Sequence, residues 1–154
     1  MAEGRDETFE ERLDRKWGEL LQELRVMQTG AQLTAAFLLT LPFQSAFEDL
    51  DAFQTGLYLA LVLLAVATTA FVLTPVAIHR RITGQRVKER LVTWAHRMAA
   101  CGLLTLGALV TGIVMLVFDM VLDRTWAAAV AGATAVVLVA LLAALPHRLL
   151  RNQA

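Results

Sequence analysis

The chain has 154 residues, 57% of them hydrophobic, and a formal charge of zero from fourteen basic and fourteen acidic side chains. That apolar share exceeds the roughly 45–50% of ordinary globular domains and points to a chain that lives in lipid. A single cysteine, Cys101, excludes an intrachain disulfide framework, and no nucleic-acid partner is expected.

The zero net charge hides strong segregation. Residues 1–25 carry five basic and eight acidic side chains. That is too charged for a signal peptide, so the first apolar segment is expected to stay in the mature protein. Residues 8–27 read as an amphipathic helix. Thr8 and Glu11 have the spacing of a capping box, and Arg15 and Glu19 form an i,i+4 pair. Phe9, Leu13, Trp17, Leu20, Leu24 and Met27 fall within about 80° of arc at 100° per residue. Helices that bind anionic lipid carry a Lys/Arg-rich polar face, whereas this face is net acidic. Its apolar stripe is expected to pack on protein, either the chain's own loop or a neighbouring subunit; lying at the headgroups is the alternative.

Four stretches have the length and apolarity of membrane spans, near 26–46, 56–78, 98–121 and 126–146. The first opens with polar residues. With Gln28 at zero, Gln32 lies at about 40° and Arg25 at about 60°, a narrow stripe that has to face protein or water. Facing protein it would be adhesive between helices; facing water it would be a vestibule open to the cytoplasm. The link to the second span, "FEDLDAF", has three carboxylates and no Lys or Arg. Pro75 in "LTPVAIHR" is expected to kink the second span, with the Thr74 hydroxyl a candidate to take the freed carbonyl.

The loop 79–97 is basic: Arg80 to Arg97 holds six basic residues against Glu89. Gly84 marks its turn, after which Val87, Leu91, Trp94 and Met98 carry an apolar stripe into the third span. The acidic amino-terminal helix is expected to dock on this basic extension. Gly107 and Gly112 in the third span and Gly132 in the fourth are packing candidates, Ala108–Gly112 and Ala128–Gly132 having small-xxx-small spacing. Asp119 is the one carboxylate inside an apolar run and should lie near the outer boundary, answering Arg124 or ending the helix in water. His79, His96 and His147 share the inner level. His79 and His96 are the candidates for a pH-responsive gate, and all three also fit ordinary interface residues. A short tail, 147–154, closes the chain.

Thirteen of the fourteen basic residues fall on one side of this arrangement, leaving Arg124 opposite. The positive-inside rule then puts both termini and the 79–97 loop in the cytoplasm of a bacterial inner membrane. The fold expected is all-α, an integral membrane four-helix bundle running up-down-up-down behind a cytoplasmic amphipathic helix.

The segments "LLQELRVMQTGAQ", "AFLLTLPF", "TPVAIHR" and "RLVTWAHR" resemble a family of small actinobacterial membrane proteins of unknown function, whose members are often automatically labelled sodium/proton antiporters. The resemblance runs from about Glu7 through the fourth span. It places family motif positions at Glu23, Leu24, Arg25, Gln28, Gly30 and Gln32, then Pro75, His79 and Arg80, and it implies the four-helix architecture. Coupled antiport, by contrast, needs a carboxylate near the membrane middle, and none stands there.

Two functions follow from the residues. The first is a non-catalytic membrane module, homo-oligomeric or an accessory or scaffold subunit of another membrane protein. No nucleophile–base set, metal-ligand spacing or phosphate loop occurs, so neither enzyme chemistry nor a metal or cofactor is expected. The second is a small oligomeric ion channel or proton/cation transporter with the Arg25–Gln28–Gln32 stripe as its mouth.

Overall fold

The computed structural model describes residues 8–82 and 88–144, with side chains except at 9–10, 79–82, 88–92 and 143–144. Gly84, Val87, His147, the tail and the side chains of His79 and Leu91 therefore lie outside the described part. The described residues are all-helical: α1 (Phe9–Thr40), two 3-10 turns (Leu41–Phe43 and Ser45–Phe47), α2 (Ala52–Ile82), α3 (Lys88–Val121) and α4 (Arg124–Val139), which a π turn continues over Ala140–Ala144.

α1 is one helix of 32 residues, about 48 Å at 1.5 Å per residue, with no break between its charged and apolar halves. It starts as the sequence indicates. The Thr8 hydroxyl accepts the Glu11 amide at 3.3 Å, and the Thr8 amide donates to Glu11 Oε2 at 2.9 Å. Arg15 pairs with Glu19 at 3.0 Å. The helix stops at Thr40, short of the expected 46, because Pro42 has no amide to give the Leu38 carbonyl. Asp123 caps α4, its Oδ1 accepting the amides of Thr125 at 2.9 Å and Trp126 at 3.2 Å.

Three helical segments are long and apolar enough to cross a membrane: Ala52–Ile78, Thr93–Val121 and Arg124–Leu142. The apolar part of α1, residues 26–40, rises only about 22 Å. Along the candidate crossings Leu63, Leu104 and Val136 are 71%, 72% and 68% exposed, a surface matched to lipid and not to water. Mid-helix threonines return their hydroxyls to their own backbone, as Thr68 does to Leu64 at 2.8 Å and Thr111 to Gly107 at 2.9 Å, so these hydroxyls need no water.

Two apolar clusters hold α1, α2 and α3 together. Trp17, Leu20 and Leu24 pack with Val72, Ala95 and Ala99; further along, Leu38 packs with Tyr58, Leu61, Ala65, Leu109 and Leu116. The amphipathic stripe thus docks on the chain's own third helix. On that helix the contact is made by Ala95 and Ala99, whereas Trp94 stays 38% exposed. Alanines let the α1 backbone approach, and a tryptophan with one polar edge sits well at a membrane boundary.

The four described helices do not close into a ring. Among the described residues α3 packs on all three other helices, α1 packs on α2 and α3, and α4 packs along α3 alone. A Cβ at Gly102 would lie 3.0 Å from Met27 Cε and 3.4 Å from Val72 Cγ2, so α1 and α2 both close on α3 at this glycine. That leaves α4 on the far side.

The three glycines singled out by sequence behave differently. A Cβ at Gly112 would overlap the Leu61 side chain, whereas Gly107 and Gly132 meet nothing within 4 Å. Gly112→Val is expected to lower stability by about 1–3 kcal/mol through overpacking, read from thermal unfolding in detergent, and Gly107→Ala to leave it within about 1 kcal/mol.

Candidate functional site

The densest polar constellation stands where α2 begins and α3 hands over to α4. Asp51 Oδ1 accepts the Gln54 amide at 2.8 Å, and the Asp51 amide donates to Gln54 Oε1 at 3.0 Å. That is a capping box formed by "DAFQ", and it starts α2. The Gln54 side-chain amide then donates to Asp119 Oδ2 at 3.0 Å and to the Asp119 carbonyl at 3.2 Å. Arg124, the first residue of α4, donates from Nε to Asp119 Oδ1 and from Nη2 to Asp119 Oδ2, both at 3.3 Å. Its Nη2 also reaches Asp51 Oδ2 at 2.5 Å, and its guanidinium lies 4.2 Å over the Phe53 ring.

Burial ranks these groups. The Asp119 side chain is 2% exposed, while Arg124 and Asp51 are half exposed. A cation at a helix N-terminus opposes the helix dipole, and the two carboxylates and the ring face offset that. The Gln54 amide hydrogen bond, and after it the bond to and charge of Arg124, hold the Asp51 carboxyl below its ordinary 3.8, with desolvation opposing. A lowered folded pKa means stability that is present above pH 3.8 and lost as pH falls through the lower folded value. Thermal melts in detergent should lose this contribution only below about pH 4, and Asp51→Asn, which keeps a capping side chain, should remove that part of the loss.

Of the two sequence readings of Asp119, the structure takes the first: it answers Arg124. The sequence reading missed Asp51, Phe53 and Gln54. The Asp-x-x-Gln spacing before an apolar run was the available signal for the first and last; nothing local marked Phe53.

The stripe on α1 lies on a flank, beside the core face and not in it. Arg25 and Gln32 are exposed and Gln28 is half-buried. Arg25 donates to the neutral Gln22 Oε1 at 3.2 Å, and among the described residues neither Gln28 nor Gln32 has a hydrogen-bond partner. Among the described residues no helix covers that flank. On the same side of α1, toward its end, an apolar slot of about 350 Å³ opens between α1 and α2.

His96 is exposed on α3. Pro75 is buried inside an unbroken α2, and the Thr74 hydroxyl donates to the Ala70 carbonyl at 2.6 Å, one residue before the Phe71 carbonyl that the proline frees. Among the described residues no group of three or more His, Cys, Asp or Glu is placed to hold a metal ion.

Residues 6–146 match the sequence profile of a family described as a family of unknown function, DUF6328. The chain belongs to this DUF6328 family. No curated protein and no solved structure matches it. In this DUF6328 chain the Asp119 cluster is chemically a tie: both carboxylate oxygens accept hydrogen bonds, and the groups that donate them come from α2 and α4. The α1 flank is the opposite case: among the described residues the Gln28 and Gln32 side chains have no partner, and Arg25 meets only the neutral Gln22.

Proposed function

We propose that the protein is a non-catalytic membrane module that works by assembling, with copies of itself or as an accessory subunit of another membrane protein. In this reading all four helices cross a bacterial inner membrane, with both termini cytoplasmic and the Asp119 cluster at the outer face. Orientation draws its support from the basic residues, thirteen of fourteen on the α1 N-terminal side. The crossing of α1 is supported by Leu38, which packs with Leu61 and Leu109, so that α1 accompanies α2 and α3 through the same depth.

The observation that carries assembly is the open side of α4. Ala127 and Ala131 are buried against α3, the helix that α4 packs along. Ala128 and Gly132, one residue on, face outward with the small-xxx-small spacing that lets membrane helices approach closely. Light scattering in mild detergent is expected to give a defined oligomer, reduced toward the protomer by Ala128→Leu with Gly132→Leu. A strict monomer for the unaltered chain would remove self-assembly.

Conduction has less support. Leu38, Leu61, Leu109 and Leu116 fill the space between α1, α2 and α3, so a path would run between copies. Proton, sodium and potassium flux into liposomes tests it: conduction through the stripe requires flux that falls with Gln28→Leu and Gln32→Leu together.

A further inference from the structure

The α1–α2 slot and the polar flank beside its lower end form one graded surface. Ala35 and Leu39 of α1 and Val62, Val66, Ala70 and Leu73 of α2 wall the slot. Its one polar lining residue, Thr69, has its hydroxyl bonded to the Ala65 carbonyl at 2.9 Å, so the slot offers an occupant hydrocarbon alone. Its α2 wall runs about 16 Å from Val62 to Leu73 at 1.5 Å per residue, and its lower end stands level with Met27 and Gln28, since Met27 and Val72 meet at Gly102. A crossing helix from a partner would need a face about twice as long.

Along the α1 wall, toward the α1 N-terminus, the chemistry changes in a fixed order. Leu39, Ala35, Gln32 and Gln28 succeed one another on one side of α1 at steps of four, three and four. Arg25 follows, about 10 Å from Gln32 along the axis. Hydrocarbon wall, two amides without partners, then a cation that no described carboxylate pairs: that sequence is complementary to acyl chain, ester carbonyls and phosphate.

We propose that the α1–α2 slot binds an anionic phospholipid of the cytoplasmic leaflet, one acyl chain in the slot, its esters at Gln32 and Gln28 and its phosphate at Arg25. Amide N–H groups of the glutamines donate to the ester oxygens, and the guanidinium forks onto the phosphate. The proposal rests on the orientation given above, and it accounts for polar residues on a flank that no described helix covers.

Native mass spectrometry of the full chain in detergent, with dioleoyl phosphatidylglycerol or dioleoyl phosphatidylcholine added at matched concentration, tests it. One phosphatidylglycerol per protomer is expected, retained about fivefold better than phosphatidylcholine, the contribution of one basic residue. Arg25→Gln should bring the two lipids level. Ala70→Phe and Val66→Trp, both at the exposed rim of the slot, should lower retention of both lipids, with circular dichroism reporting whether each variant folds. Equal retention of the two lipids by the unaltered chain, or retention indifferent to Arg25→Gln and to folded rim variants, would overturn the proposal. So would a lipid-free dimer that Ala70→Phe splits, which would make a second copy the occupant. Light scattering separates the two readings: an oligomer that stays intact in Ala70→Phe while lipid is lost leaves assembly through α4 standing, and lipid retained on an unaltered chain that is monomeric removes assembly alone.

Discussion

Leu24→Ala is expected to cost about 2–5 kcal/mol, among the largest effects of any single truncation in this chain. Leu24 is 1% exposed in the cluster that joins α1 to Val72, Ala95 and Ala99. Its partners on α3 are alanines, too short to move into the space that a lost isobutyl group leaves, so the cavity persists. The site also lies at the charged end of α1, where water competes for the exposed surface and burial contributes its full transfer free energy. Val26, two residues on and 68% exposed, is the control: Val26→Ala should change thermal unfolding by less than about 0.5 kcal/mol. Cysteine pairs joining residues 10–20 to 86–94 report the same docking without loss of stability. Efficient cross-links are expected in the unaltered fold, and Leu24→Ala should weaken them.

The second large effect belongs to Asp119→Ala, expected to lower stability by about 2–3 kcal/mol. Removing that buried carboxylate leaves the Gln54 amide without its acceptor and takes from Arg124 the partner on its own hairpin. Two helix starts should loosen together, α2 through Gln54 and α4 through Arg124. Asp119→Asn keeps one acceptor for Gln54 and should fall between the two. Hydrogen exchange gives the distinguishing readout: protection should drop at the first turns of both α2 and α4, while the Trp17–Leu24 cluster stays protected. A uniform drop across all helices would mean that Asp119 supports the whole bundle and not this junction.

Much of this architecture was legible residue by residue. The Thr8–Glu11 box, the Arg15–Glu19 pair and the Trp17–Leu20–Leu24 stripe depend on spacings within one or two turns, which the sequence states directly. Ala95 and Ala99, which receive that stripe, were hidden because alanine carries no periodic signal and Trp94 drew the register to the neighbouring face. The end of α1 at Thr40 was written in Pro42, yet apolar residues continue past it and extended the apparent span. Closure of the bundle was not readable. α1 meets α3 where Met27 lies against Gly102, and contacts between helices leave no local pattern.

The site divides the same way. Asp119 with Arg124 could be anticipated because five residues separate them across a two-residue link. Asp51 and Phe53 join from 73 and 71 positions away, through a capping box whose side chains serve two helices. The α1 stripe was seen as a stripe, but its surroundings were not. Periodicity shows which residues share a face and says nothing of whether another helix covers it.

Assembly through the open face of α4 is tested most directly by disulfide cross-linking in native membranes. The chain would carry Gly132→Cys in a background where Cys101 is replaced by alanine. Oxidation is expected to give a dimer from Gly132→Cys in high yield and none from a cysteine at Ala131, which is turned into α3. Absence of a Gly132 dimer, or equal yields from the two positions, would contradict assembly through this face.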